Sequence, residues 1–556
     1  MRYARIQPVR ALLQQSDHMW YREKGRSVQQ ARLERYPGST SRRHGRLPMA
    51  AVAALAGILA SVHAMAQKSV ASWPMAGQDS HNTRSQPQEH VLGTANISKL
   101  KPRWVLDTNG NVSATATVVD GTVYVPDFGG MLWAVDAATG QVKWKRKVGE
   151  YSGIPGDVSR TGPAYWNGIL VIGQGVQTVV NPTGAFMLGI NALTGQSLWR
   201  TEVSSDPAAI ITSSPVVSGG VVYVGVSSRD EALKSAPTFR GSVVALDAKT
   251  GKLLWTTYMV PAGYTGGAVW SSTPVVDQTL GLVYVTTGNN YSVPSGVCRA
   301  PGHGNCTPPA AGDHIDSFVA LDLKTGSIAW ATGTLPADMS TNYDHADGPD
   351  YDFGAGPNLF TTVINGQPTT LLGAGAKSGV YWALDPKTGK VVWHTKVGPG
   401  SLLGGMEWGT AADGKRIYVS IGNLDHVPVT VKSPGQGETT AKGGFWAAID
   451  AATGKVLWRT ADPQQALVTG ALSVANGVVY AGSLARTGPN MYALNAATGA
   501  IEWRFASGGA VASGAAIADG AAYWGTGYHT KVLGLPYAGD SHKLYAFSVS
   551  ADPSEK

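Results

Sequence analysis

The chain has 556 residues with 44 Lys and Arg, 37 Asp and Glu and a formal charge of +7. Residues 1–66 hold 11 of the basic and 3 of the acidic groups, so the remainder carries 33 against 34, a formal charge of −1. A near-neutral body excludes electrostatic capture of nucleic acid, and the lack of any CxxCH excludes a c-type haem attached to these residues.

Residues 1–66 read as a leader. Met49–Ala66 is an apolar run behind Arg42, Arg43 and Arg46, and it ends in Ala-Met-Ala, the pattern of a signal peptide with a small-residue cleavage site. The run is short, rich in alanine and interrupted by His63, which argues against a membrane anchor. The expectation is an exported, periplasmic body, residues 67–556, forming a single domain with no membrane span. Gln67–Ile97 is polar and is expected to wrap one face of that domain.

An eleven-residue pattern then recurs. It reads ALDAKTGKLLW at Ala245–Trp255 and returns with its tryptophan at Trp144, Trp199, Trp330, Trp393, Trp458 and Trp503, at spacings of 55, 56, 75, 63, 65 and 45 residues. Asp or Asn followed by Thr-Gly is turn chemistry, because the short side chain bonds nearby backbone and glycine takes positive φ cheaply. The flanking alternation predicts a hairpin with a large aromatic on its outer strand. Further strand pairs precede most copies, which makes one four-stranded blade per repeat and a β-propeller overall. The tail, Ala515–Gly525 and His542–Val549, supplies inner strands with no outer strand after them. Leu100–Asp107 carries Trp104 with no hairpin before it. Joining the two predicts an eighth blade, closed by both termini, and removes the open sheet edge.

Long inserts fall at Ser227–Arg240, Asn289–Asp316, Thr332–Phe353 and Asp425–Gly443; the first three are expected to roof one end of the ring, the last to form a flap. Cys298 and Cys306 are the chain's two cysteines, and a local disulfide is the natural reading in an oxidising compartment.

The repeat A-L-D-x-x-T-G-x-x-x-W resembles that of pyrroloquinoline quinone (PQQ) propellers. Several loop stretches resemble the quinoprotein alcohol dehydrogenases, most of all polyvinyl alcohol dehydrogenases: AVWSSTPVVD (Ala268–Asp277), GLVYVTTGNNYS (Gly281–Ser292), GPDYDFGAGP (Gly348–Pro357), AKSGVYWALDPKTG (Ala376–Gly389) and GGMEWG (Gly404–Gly409). The resemblance implies that Trp270 stacks beneath the flat quinone. Arg160, Thr212, Ser213 and Ser214 would meet the cofactor's three carboxylates, which need fixed cations and hydroxyl donors. Lys377 would touch the reactive oxygens, and Glu407 and Trp408 stand where relatives place a polar residue and a tryptophan.

The implied metal is calcium, a hard cation for carboxylate and amide oxygens, with Glu231, Asn289 and an aspartate as ligands. The general base that takes the alcohol proton is Asp313 or Asp316, in GDHIDSFVALD, with Asp313 also implied as a metal ligand. The residues leave both open, with Asp350 and Asp352 in reserve. Three family features are absent: a vicinal Cys-Cys pair, where Pro155-Gly156 stand; a Cys pair before F-R-G, replaced by Ala236-Pro237; and a first-blade glutamate within Ser113–Val118. The expected activity is PQQ- and calcium-dependent oxidation of secondary or polymeric alcohols, with electrons passing to an external cytochrome c. The competing expectation is a non-catalytic propeller scaffold that binds proteins or peptides.

Overall fold

A computed structural model describes residues 71–175, 184–230, 236–270, 273–302, 304–341, 347–433, 437–528 and 539–549. The leader and Glu231 lie outside them. The strands form eight antiparallel blades arranged as a propeller, six four-stranded and two with a fifth strand added. Seven blades take their four main strands in chain order from one stretch of sequence, the fourth and sixth with extra strands inserted between them. In the eighth, Lys101–Asp107 from the front of the chain pairs with Lys543–Ser548 from its tail, Trp104 opposite Ala546. The expected closure by both ends is therefore present.

The repeated motif explains how neighbouring blades adhere. In the turn after Ser242–Asp247, Asp247 Oδ1 accepts bonds from Thr250 N at 2.8 Å and Thr250 Oγ1 at 2.7 Å, and these bonds hold its carboxyl below the ordinary value. Gly251 follows at φ +72°, and a Cβ there would come within 2.5 Å of the Trp199 ring of the preceding blade. The Trp199 indole meanwhile donates to Ala248 O at 3.1 Å. Trp104, Trp144, Trp255, Trp330, Trp458 and Trp503 repeat this donation to the adjoining segment at 2.7–3.2 Å. A slip in register, Ala245 opposite Trp255 but Leu246 opposite Leu253, recurs at the same place in the other hairpins and turns each outer strand.

The polar segment at the front crosses the inner edges of the blades. Backbone oxygens of Pro74, Ser80, His81, Thr83 and Arg84 accept N–H bonds from the first strands of the second, fourth, fifth, sixth and seventh blades, at 2.8–2.9 Å. Trp73 bridges to Val118 in the first blade, and Gln86 donates to Ile517 O in the eighth. This strap holds Arg84 against the axis of the ring. Residues Val429–Ser433 and Gly437–Ala441, expected as a flap, pair instead as a β-hairpin, favoured by their valines and threonines. The Cys298–Cys306 disulfide is formed.

Because Gly251 needs positive φ and has the Trp199 ring against it, Gly251→Ala should cost about 2–4 kcal/mol of stability, read by denaturant unfolding. The same exchange at Gly281, φ +69° with open space around the Cβ, should cost less, so the difference isolates the packing contribution.

Candidate active site

Loops of the fourth and fifth blades, and the connection between them, bring four aspartates and one lysine together. Lys377 follows Gln367–Gly375, and its amide donates to Asp352 O at 2.9 Å. Its ammonium lies 3.1 Å from Asp350 Oδ1 and 2.7 Å from Asp352 Oδ1, with all three side chains buried. Asp316 immediately precedes the strand Ser317–Asp322 at φ +44°. It is fully buried, and neither carboxylate oxygen has a hydrogen-bond partner. Burial first, then the charges of Asp338, Asp352 and Asp350, pushes its carboxyl up, against a smaller opposing pull from Lys377. Burial likewise raises Asp352 to about 6 and Asp338 to about 7, although Asp338 accepts the amides of Asp350 and Tyr351.

Asn289 opens onto the same place. Its amide nitrogen donates to Asn290 O at 3.1 Å and Ser340 O at 2.8 Å, which leaves its buried carbonyl oxygen without a partner. Gly288 explains the closeness of the group. A Cβ there would lie 2.7 Å from the Trp270 indole nitrogen and 2.8 Å from Asp352 Oδ2. Asp313 stands slightly apart and half-buried, one oxygen accepting from Asn290 at 2.7 Å, its carboxyl raised by burial to about 6. Among the described residues, no three His, Cys, Asp or Glu side chains stand at mutual metal-binding distance.

A second region adjoins through the chain. Arg160, Thr212, Ser214 and Trp408 line a central cavity that Arg84, Thr115, Thr273 and Tyr528 complete. Ser214 Oγ accepts from Gly162 N at 3.0 Å, and Thr212 shares a hydroxyl bond with Ser227 at 2.8 Å. Trp408 packs on Tyr528, ring centroids 4.8 Å apart, and the Tyr528 hydroxyl, raised by burial, bonds Arg160. Glu407 is buried beside Gly354, where a Cβ would meet Glu407 Oε2 at 2.1 Å. Ser213 is buried between Thr212 and Ser214.

Trp270, Asn289, Asp316 and Lys377 are thus assembled in one region, and Arg160, Thr212, Ser214 and Trp408 in the other. Asp338, Arg84 and Tyr528 were not singled out in the sequence. Asp338 and Arg84 sit in polar stretches with no repeat to mark them, and Tyr528 follows the strand Ala521–Gly525 outside the repeated motif.

The arrangement fits a flat, anionic quinone beside a hard cation. The cavity offers guanidinium and hydroxyl groups to carboxylates, and Asn289 and Asp316 offer uncommitted buried oxygens. Residues 73–401 match the family described as glucose/ethanol/alcohol dehydrogenase, β-propeller domain, and residues 376–535 match that of outer membrane protein assembly factor BamB. The chain is 30% identical to a polyvinylalcohol dehydrogenase of Sphingopyxis sp., covering 78% of this chain and 67% of the relative. It is 27% identical to a quinohemoprotein alcohol dehydrogenase of Pseudomonas putida, over 63% of this chain and 51% of that one. The crystal structure of the quinohemoprotein alcohol dehydrogenase from Comamonas testosteroni has the same fold, with a TM-score of 0.64, 20% identity, and coverage of 86% of this chain and 80% of that one. This chain belongs to the PQQ-dependent alcohol dehydrogenase family and is an oxidoreductase.

Removing Lys377, the one cation of the aspartate cluster among the described residues, would leave its carboxylates facing each other. Lys377→Ala should therefore destabilise the chain by about 3–5 kcal/mol near neutral pH, measured by thermal or denaturant unfolding. Asp352 and Asp338 bind protons more tightly folded than unfolded, so their stabilising contribution is present at low pH and is lost as pH rises through about 6 and about 7. The penalty of Lys377→Ala should accordingly shrink at pH 5 and grow at pH 8. A pH-independent penalty would show that Lys377 acts by packing.

Proposed function

We propose that this protein is an exported PQQ- and calcium-dependent dehydrogenase of secondary or polymeric alcohols that delivers electrons to an external cytochrome c. The observation that carries the reading is the meeting of Asp316, with both oxygens uncommitted, and the free Asn289 carbonyl beside Lys377 and Trp270. The resemblance of the loop motifs to polyvinyl alcohol dehydrogenases, and the similarity to such an enzyme from Sphingopyxis sp., support the substrate class.

Bound PQQ would supply the two-electron acceptor for the hydride of the carbinol carbon. Trp270 would give its plane an apolar floor. Arg160, Thr212, Ser213 and Ser214 would bind its carboxylates, Lys377 would donate to its quinone oxygens, and Glu407 and Trp408 would flank the cavity. Asn289 and Asp316 would offer oxygens to calcium, with Glu231, outside the described residues, joining them by resemblance. Asp316, rather than Asp313, takes the hydroxyl proton. Asp313 already has one oxygen bonded to Asn290, whereas Asp316 has both available within the cluster. Burial and three neighbouring aspartates favour a protonated Asp316, so a base role needs cations near it. Lys377 is one, and a divalent ion on Asn289 would be the second.

The apolar run Met49–Ala66 and the Cys298–Cys306 disulfide support export to an oxidising compartment. No helix among the described residues is long and apolar enough to cross a membrane.

Dye-linked oxidation of secondary alcohols, with PQQ and Ca²⁺ added or withheld, tests the reading. Activity should require both, and Asp316→Asn should lower kcat by about 10²–10⁴, the worth of a positioned base. Asp313→Asn should cost far less. The reverse order would move the base to Asp313. Chelation of the active protein should also lower its melting temperature, and activity indifferent to chelation would remove calcium from the proposal.

A further inference from the structure

We propose that Arg84, carried to the ring axis by the N-terminal strap, is a carboxylate-binding residue of the PQQ pocket. The inference rests on the quinoprotein reading and adds a contact that comes from no blade.

Arg84 is 3% exposed, and its side chain lines the same central cavity as Arg160, Thr212 and Ser214. Its Nε donates to Leu472 O at 2.8 Å and its Nη2 to Thr115 Oγ1 at 2.8 Å. Both acceptors are neutral. Among the described residues no carboxylate acts on the guanidinium; burial alone lowers its pKa, to about 10, so it remains charged at neutral pH. A buried charge without a counter-ion is costly, and chains keep one where a ligand supplies the opposite charge. Ser113–Val118, the first-blade stretch beside it, contains no acid that could pair with it.

The surroundings make room for the guanidinium. A Cβ on Gly514 would come within 2.3 Å of Nη2, and one on Gly409 within 3.2 Å of Cδ and Nε. The backbone at Arg84 is held at φ +50°, in the left-handed region that a long side chain seldom occupies. The Val474 N bond to Arg84 O, at 2.9 Å, helps hold it there. A residue that merely fastened the strap would need only this main-chain bond. The cavity therefore presents two guanidinium groups, Arg84 and Arg160, to a ligand with several carboxylates.

The test compares PQQ with its trimethyl ester, which has no free carboxylate. Dissociation constants would be read from quenching of tryptophan fluorescence in the full chain, without measuring turnover. Arg84→Met should weaken PQQ binding by about 10- to 100-fold, the range for a charge-assisted bond, and leave ester binding unchanged. Arg84→Lys, which keeps the charge but not the fork, should show a smaller loss with the same selectivity, and it decides the matter should Arg84→Met fail to fold by circular dichroism. Equal weakening of PQQ and ester, or no weakening of either, would reduce Arg84 to a strap fastener and overturn the proposal. Failure of the unaltered chain to bind PQQ would overturn the cofactor assignment itself, and this inference with it.

Discussion

The architecture depends on one contact made again and again: a tryptophan of one blade lying against the Thr-Gly turn of the next. The glycine serves twice, adopting positive φ and leaving the ring free to approach within van der Waals range. The indole N–H then finds a carbonyl on the neighbour in most copies, so a large apolar surface is buried without leaving its donor unsatisfied. Each blade is thereby locked to the next with the same geometry, and a ring with an eighth blade shared by the two ends of the chain leaves no edge to pair elsewhere.

Such a ring leaves its loops and its axis available, and charge is distributed unevenly between them. In the loops of the fourth and fifth blades, among the described residues, Asp316, Asp338, Asp350 and Asp352 outnumber the single Lys377. In the central cavity, Arg84 and Arg160 stand without an acid among the described residues of the lining. Neither region is balanced by itself. Folding tolerates the imbalance because the blades supply the stabilising surface, and a ligand that brings a cation to one side and carboxylates to the other balances both. In the proposed function, the quinone and a calcium ion would bring that distribution.

The strap adds a constraint that blades cannot provide. Its backbone takes hydrogen bonds from the first strands of five blades in turn, so its path around the axis is fixed by main-chain geometry rather than by its own composition. Residues such as Asn82 and Arg84 adopt left-handed conformations as a consequence.

The propeller was readable in the sequence because its determinants are local and repeated: the Asx turn, the glycine and the tryptophan occur within eleven residues. Blade closure followed from one unpaired Trp strand at the front and unfinished strands at the tail. Individual site residues, Trp270, Asn289 and Lys377 among them, were accessible through loop motifs shared with a family. The choice between Asp313 and Asp316 was not, because three residues of separation decide burial only once Gly288 packs against Trp270 and Asp352. Asp338 and Arg84 were invisible for the same reason. Their importance lies in which charges surround them, and those charges come from loops and a strap far apart in the chain. Sequence alone determined the blades and the family; tertiary structure decided which charges are buried together, since burial and electrostatic neighbours are properties of the folded ring.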